Sequence, residues 1–254
     1  MTSIEVANVG VAFRVYSASS RSIKNQLFRT VGGTIREQGT SHVVVTALKN
    51  LTITLRPGDR LALIGGNGAG KSTLLKVLAG ILEPSSGSVC ISGRVSSLLD
   101  MSMGMDAEAT GYENIIMRSV ILGATFAEAR KRVPEIEAFS ELGAYLRLPL
   151  RTYSTGMSLR LSFAIATYSQ PEILVLDEMI GTGDAGFAKK ATARLNDIVS
   201  KLKILIIATH DLNTACAMCN RGIVLQHGSI VIDDEIGKAV AAYRALNRTA
   251  VSVE

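Results

Sequence analysis

Residues 65–72 read Gly65-Gly66-Asn67-Gly68-Ala69-Gly70-Lys71-Ser72, a full match to G-x-x-x-x-G-K-[ST]. An apolar stretch, residues 61–64, precedes it, and an apolar helical pattern, residues 74–78, follows it. A strand must therefore run into a tight glycine-rich loop that opens a helix, which commits this part of the chain to an α/β layer. The glycines let backbone N–H groups curl around phosphate oxygens, and the helix N-terminus adds its positive end. Lys71 is expected to reach the β- and γ-phosphates, with Ser72 ligating Mg²⁺ and Thr73 beside it. A nucleoside triphosphate with Mg²⁺ is the expected ligand pair.

A second stretch completes such a site. Ile173-Leu174-Val175-Leu176-Asp177-Glu178 is an all-apolar run ending in two carboxylates, as a buried parallel strand ends where ligands bind. Asp177 is expected to hold Mg²⁺ through water, and Glu178 to orient or deprotonate an attacking water.

Around these motifs the pattern alternates. Strands are expected at residues 4–9, 43–45, 51–55, 60–64, 87–91, 95–99, 173–176 and 204–208. A Gln-His-Gly-Ser hairpin joins residues 223–225 and 230–232. Helices are expected at residues 71–79, from the capping box Thr110/Glu113 to about residue 122, and from about residue 127, where Pro134 should end or kink the helix. Leu161, Ala164, Ile165 and Tyr168 form an apolar helical stripe, and further helices cover residues 187–199, 212–219 and 236–246. Apolar strands alternate with helices at both ends, while the middle is mostly helix. That is a parallel α/β core with an inserted helical lobe.

Composition excludes several classes. Hydrophobic residues are 47% and charged residues 19% of the 254, which argues for a buried sheet and against disorder. The longest apolar runs fall well short of the ~18 residues of a spanning helix, and the N-terminus has no basic n-region or apolar h-region, so no signal peptide is expected. The formal net charge is +5, but no zinc finger, RNP motif or basic–aromatic run is present, and no nucleic-acid partner is expected. Cys216 and Cys219 form a lone C-x-x-C on a helical pattern and are expected to face one side as a core pair.

Tyr153-Ser154-Thr155-Gly156-Met157-Ser158-Leu159-Arg160 opens a helix upstream of the Asp177 strand. Here the sequence resembles the ABC ATPase family, whose Leu-Ser-Gly-Gly-Gln-x-x-Arg signature it matches at Ser154, Gly156 and Arg160. It departs at Tyr153, Thr155 and Met157. The resemblance implies a P-loop NTPase core with a parallel sheet, an antiparallel N-terminal β-subdomain and an inserted helical lobe. The core is read as about residues 1–106 and 169–254, and the lobe as about residues 107–168. It further implies a homodimer in which Ser154 and Gly156 face the other protomer's ATP, and an integral membrane permease as partner. Gly183-Asp184-Ala185 looks like the D-loop, with Asp184 at the dimer interface. Ala208-Thr209-His210-Asp211 looks like the H-loop, with His210 at the γ-phosphate. Phe13 falls where the family places an aromatic under adenine, with Tyr16 as rival. The family's Q-loop glutamine is missing, and Asp100 is the substitute on that strand, as a further Mg²⁺ contact.

The departures resemble the polysaccharide-export subgroup: Tyr-Ser-Thr-Gly-Met at the signature, residues 178–187 after the second carboxylate strand, Thr110-Gly111-Tyr112-Glu113-Asn114, and Glu141-Leu142-Gly143. This implies a lipid-linked glycan as cargo and a peripheral position on the cytoplasmic face of the inner membrane. Another cargo, such as a lipid or drug, remains the alternative. Residues 17–42, basic and without clear periodicity, read as an insertion or long loop that could lie near the membrane and meet the lipid-pyrophosphate end of the glycan.

Overall fold

Alternation of apolar residues builds the first sheet of the computed structural model, which describes residues 1–16, 34–37, 42–99, 101–168, 171–177 and 185–251. Strand β1 (Ser3–Tyr16) pairs antiparallel with β3 (His42–Leu55). The order is β2-β3-β1-β5, with β2 at Thr34–Glu37 and β5 at Ser86–Ser92. Ile4, Val6, Val9 and Val11 are buried on β1, and register shifts between Val6 and Ala12 absorb its irregular alternation. Two differences from the sequence reading follow. Residues 43–45 and 51–55, read as two strands, are one, because partners along β1 hold the intervening residues. Residues 34–37, read as part of a loop, form β2, held by pairs from Thr34↔Thr46 to Glu37↔Val43. The rest of residues 17–41 lies outside the described residues.

The second sheet carries the glycine-rich loop. Strands β4 (Arg60–Ile64), β7 (Ile173–Asp177), β8 (Ile204–Ala208), β9 (Arg221–Gln226) and β10 (Ser229–Glu235) include the order β10-β9-β4-β8-β7. β4 runs parallel to β8 (Leu63↔Ala208) and to β9 (Ile64↔Val224). All five residues of β8 are buried, which explains its unbroken apolar run. Helix α1 (Lys71–Leu78) follows the loop and buries Leu74, Leu75, Val77 and Leu78.

The chain divides into two compact units. The first holds Met1–Arg94, Val175–Glu178 and Lys203–Glu254, and the second holds Val95–Leu174 and Met179–Leu202. The second therefore contains the helical stretch, residues 107–168, with flanking segments. Its elements are β6 (Val95–Ser97), α2 (Gly111–Ile121), α3 (Phe126–Ser140), α4 (Thr155–Ala166) and α5 (Ala185–Lys201). Its core gathers Ile115, Ile136, Leu161, Phe139, Phe163 and Phe187. The three phenylalanine rings lie 5.7–6.0 Å apart between centroids, a geometry worth about 0.5–1.5 kcal/mol per pair beyond area burial.

Helices α2 and α3 both open on complete capping boxes, Thr110/Glu113 and Thr125/Glu128. Pro134 does not end α3, which runs six residues further to Ser140. The proline is exposed, while Ile136 and Phe139 beyond it are buried, so core packing outweighs one missing backbone bond. β6 stops at Ser97 rather than residue 99, where the Ser97 hydroxyl accepts from the Leu99 N–H at 3.3 Å.

Among the described residues the first unit also holds the helices α6 (Leu212–Met218) and α7 (Ile236–Val251). α6 corrects the cysteine reading. It ends at Met218, and Cys219 is extended, so the two thiols share no helical face: Cys216 is exposed and Cys219 buried. Among the described residues no helix is long and apolar enough to cross a membrane.

Candidate nucleotide site

Parallel pairing brings the motifs of the first unit to one sheet edge. Leu63 pairs with Ala208, so the loop after β4 and the turn after β8 emerge together. Asp177 ends β7 at the same edge, and Ser72 Oγ donates to its Oδ2 at 3.1 Å. Both side chains are exposed there. A hydroxyl and a carboxylate so close form a hard-oxygen donor pair, the chemistry that suits Mg²⁺.

Lys71 is 8% exposed, and its ammonium donates to the carbonyls of Gly65 at 2.7 Å and Gly66 at 3.0 Å. The cation is thus held at the loop by the loop's own backbone. Gly66, Asn67 and Gly68 are exposed, and Ala69 is buried. Gly70 has φ 107°, and a Cβ there would lie 2.9 Å from both the Ala47 carbonyl and Leu48 Cδ2. Thr73 is half-buried on α1.

Sequence reasoning missed the support behind the loop. The Gln-His-Gly-Ser turn was legible only as a hairpin. Its Gly228, at φ 79°, donates to the Ala69 carbonyl at 3.0 Å and accepts from the Lys49 N–H at 2.8 Å. The hairpin therefore braces the phosphate loop against β3. The same strand reaches the proposed adenine position: Phe13 pairs with Val45, two residues from Ala47. Phe13 is 41% exposed, which leaves its ring available for stacking. Tyr16 pairs with His42, and its side chain lies outside the described residues.

His210 is exposed in the turn after β8. Thr209, buried beside it, accepts from the Asp211 N–H at 3.0 Å. Asp211 caps α6 and accepts from the Thr214 hydroxyl at 2.6 Å, the bond that chiefly holds its carboxyl below the usual range. His210 is thus fixed between two anchored residues at the edge that carries Lys71 and Asp177. Glu178, Asp184 and Asp100 lie outside the described residues.

The signature forms in the second unit. Ser154 caps α4, its hydroxyl accepting from the Met157 N–H at 3.2 Å, a cap worth about 1 kcal/mol. Ser154, Thr155 and Gly156 are exposed, presenting a helix N-terminus suited to an anion. Arg160, the signature arginine, stacks over Phe187 at 5.1 Å and approaches Glu141 at 3.7 Å. Glu141 also holds Lys190 at 2.8 Å. The Glu141 motif and the signature are therefore one packed cluster.

The chain matches the family model described as ABC transporter over residues 48–181. It is 47% identical over 231 residues to the O-antigen export system ATP-binding protein RfbE of Yersinia enterocolitica, covering 91% of this chain and 97% of that protein. It is 40% identical over 223 residues to the O-antigen export system ATP-binding protein RfbB of Myxococcus xanthus, covering 88% of this chain and 51% of that one. Among solved structures it is similar to an ATP-binding subunit of an ABC transporter, with a TM-score of 0.69 at 22% identity over 99% of both chains.

Proposed function

Because the chain belongs to the ABC transporter family, we propose that it is the ATP-hydrolysing subunit of an exporter that carries a lipid-linked polysaccharide across the inner membrane. The observation that carries the cargo reading is its likeness to the Yersinia enterocolitica O-antigen export protein across nearly the whole of that protein.

The chemistry follows from the two motif clusters. Backbone N–H groups of residues 66–72 and the N-terminus of α1 take the ATP phosphates, and Lys71 neutralises their charge. Ser72 and Asp177 would hold Mg²⁺, which supplies charge neutralisation at the phosphates. Glu178 positions the attacking water as general base, and His210 contacts the γ-phosphate. Phe13 stacks under adenine. Asp100 stands in for the missing Q-loop glutamine.

One chain carries one phosphate loop and one signature, so each complete site takes the signature of a second copy. A two-fold dimer supplies both, with Ser154 and Gly156 closing over the partner protomer's ATP and Asp184 at the interface. The subunit is peripheral, and an integral membrane permease anchors it. The dock for that permease is an apolar patch on the second unit: Met103, Ile121, Leu122 and Phe126 are exposed by 53%, 63%, 39% and 63%. Gly104, next to Met103 in the chain, lies against the Ile121 side chain, and Leu122 and Phe126 flank the turn between α2 and α3. An apolar surface of this kind on a polar lobe is characteristic of a protein interface.

Replacing the chain in cells by Glu178→Gln tests the cargo. The reading expects finished glycan to accumulate, lipid-linked, on the cytoplasmic side while the surface is depleted. Normal surface glycan would refute it.

A further inference from the structure

Two backbone segments of the second unit run side by side and end at different functional places. The Arg151 N–H donates to the Ala107 carbonyl at 2.9 Å, the Leu150 N–H to Ala109 at 3.0 Å, and the Gly111 N–H to Leu148 at 3.3 Å. Thr110 and Pro149 form an antiparallel bridge between them. Residues 107–111 lead into α2. Residues 148–153 lead directly into Ser154 and the signature helix α4.

The first segment is itself immobilised from α2. Asn114 is fully buried. Its amide nitrogen donates to the carbonyls of Asp106, Ala109 and Thr110 at 2.9, 3.1 and 3.0 Å, and its carbonyl accepts from the Asp106 N–H at 2.8 Å. The Thr110/Glu113 capping box fixes the same turn. One residue type in this motif, Thr110-Gly111-Tyr112-Glu113-Asn114, is then explained by space rather than by hydrogen bonding. A Cβ at Gly111 would meet the Tyr153 hydroxyl inside van der Waals contact, Leu146 Cδ2 at 2.8 Å and Leu146 Cα at 3.0 Å. Gly111 is buried, and the Leu146 Cα is backbone that no side-chain rotation moves aside, so a new methyl must displace the Tyr153 hydroxyl or the Leu146 side chain. The Tyr153 hydroxyl occupies that gap and donates to the Tyr145 carbonyl at 2.8 Å.

We propose that Gly111 and Tyr153 form a matched pair that positions the signature, the absent side chain of one admitting the hydroxyl of the other, so that Gly111 is a positioning residue for ATP turnover. This rests on the reading of Ser154 and Gly156 as the signature that closes over the partner protomer's ATP. Tyr153 is covalently next to Ser154, so a shift of its ring carries the cap and the N-terminus of α4 with it. The phosphate loop belongs to the other unit.

The test compares Gly111→Ala, Tyr153→Leu and the double variant, assembled with the membrane partner. The readouts are equilibrium ATP affinity of the isolated chain and steady-state kcat. Gly111→Ala is expected to keep ATP affinity within about 2-fold while kcat falls about 10-fold. Leucine removes the hydroxyl that collides with the new methyl, so the double variant is expected to regain at least about 3-fold over Gly111→Ala, a non-additivity that separate structural damage does not produce. A double variant as slow as the product of the two single effects overturns the pairing, as does a folded Gly111→Ala that loses ATP affinity in step with kcat. Should Gly111→Ala fail to fold, Tyr153→Leu decides: a lower kcat at unchanged ATP affinity supports the proposal, and an unchanged kcat overturns it. Ser154→Ala, run alongside, reports on the signature reading separately, since its loss of turnover shows that reading standing whichever way the pair falls.

Discussion

Ser72 and Asp177 are 105 positions apart in the chain, yet the serine hydroxyl donates to the aspartate Oδ2 at 3.1 Å. The contact joins the end of β7 to the first turn of α1. Two motifs separate in sequence therefore meet through side chains as well as through the sheet. Asp177→Asn keeps an acceptor for Ser72 but removes the negative charge that Mg²⁺ needs. The fold should survive, the Mg²⁺ concentration for half-maximal hydrolysis should rise, and kcat should fall by about 10²-fold. ATPase assays across a Mg²⁺ titration check this, and an unaltered Mg²⁺ requirement would remove Asp177 from the metal site.

Lys71 is bound to the carbonyls of Gly65 and Gly66, so its cation is already in place before phosphate arrives. Lys71→Ala should weaken ATP binding by about 10- to 100-fold, or roughly 1.4–2.8 kcal/mol. Equilibrium titration with a fluorescent ATP analogue measures it, and affinity matching the parent protein would show that the ammonium does not contribute to binding.

Burial pushes the Cys219 thiol up to about 12, whereas Cys90 and Cys216 are exposed. At pH 8 Cys219 remains protonated, and the thiolate is the reactive form. Iodoacetamide followed by mass spectrometry should label Cys90 and Cys216 in the native protein and spare Cys219 until denaturant is added. Equal labelling of all three would contradict the buried position.

The capping boxes give stability a pH dependence. Hydrogen bonds from Thr110 lower the Glu113 carboxyl, and bonds from Thr125 lower Glu128, both below the ordinary 4.5. A carboxyl depressed on folding contributes stability that is present above the unfolded value and lost as pH falls through the folded one. The thermal midpoint of Glu113→Ala should lie below that of the parent protein at pH 7, and the gap should narrow below about pH 4. A gap independent of pH would show that the charge on Glu113 does not matter.

Much of this arrangement was legible in the sequence because its physics is local. The phosphate loop, the Thr110/Glu113 box and the apolar run before Asp177 each declare a structure within a few residues. What escaped is non-local. Nothing around Asn50 says that β3 continues through it, since β1 decides that. Pro134 reads as an end or a kink, and that the helix runs on past it could not be chosen from the proline, because the burial of Ile136 and Phe139 beyond it is set by the fold. Gly228 reads as a hairpin residue, and only the fold shows it bonded to Ala69 and Lys49. Cys216 and Cys219 read as one helical face, because nothing local marks Met218 as the helix end or Cys219 as extended. The roles of Glu178 and Asp184 rest on their place in the motif series.

The central claim is that a complete ATPase site needs two copies of this chain, the phosphate loop of one and the signature of the other. Glu178→Gln should bind ATP without turning it over, trapping the closed state. Analytical ultracentrifugation of this variant measures the claim most directly. The account predicts a monomer without nucleotide and a two-chain species in saturating ATP and Mg²⁺, abolished by adding Ser154→Arg to the same chain. A species that stays monomeric in saturating ATP and Mg²⁺, with the membrane partner also present, would contradict it.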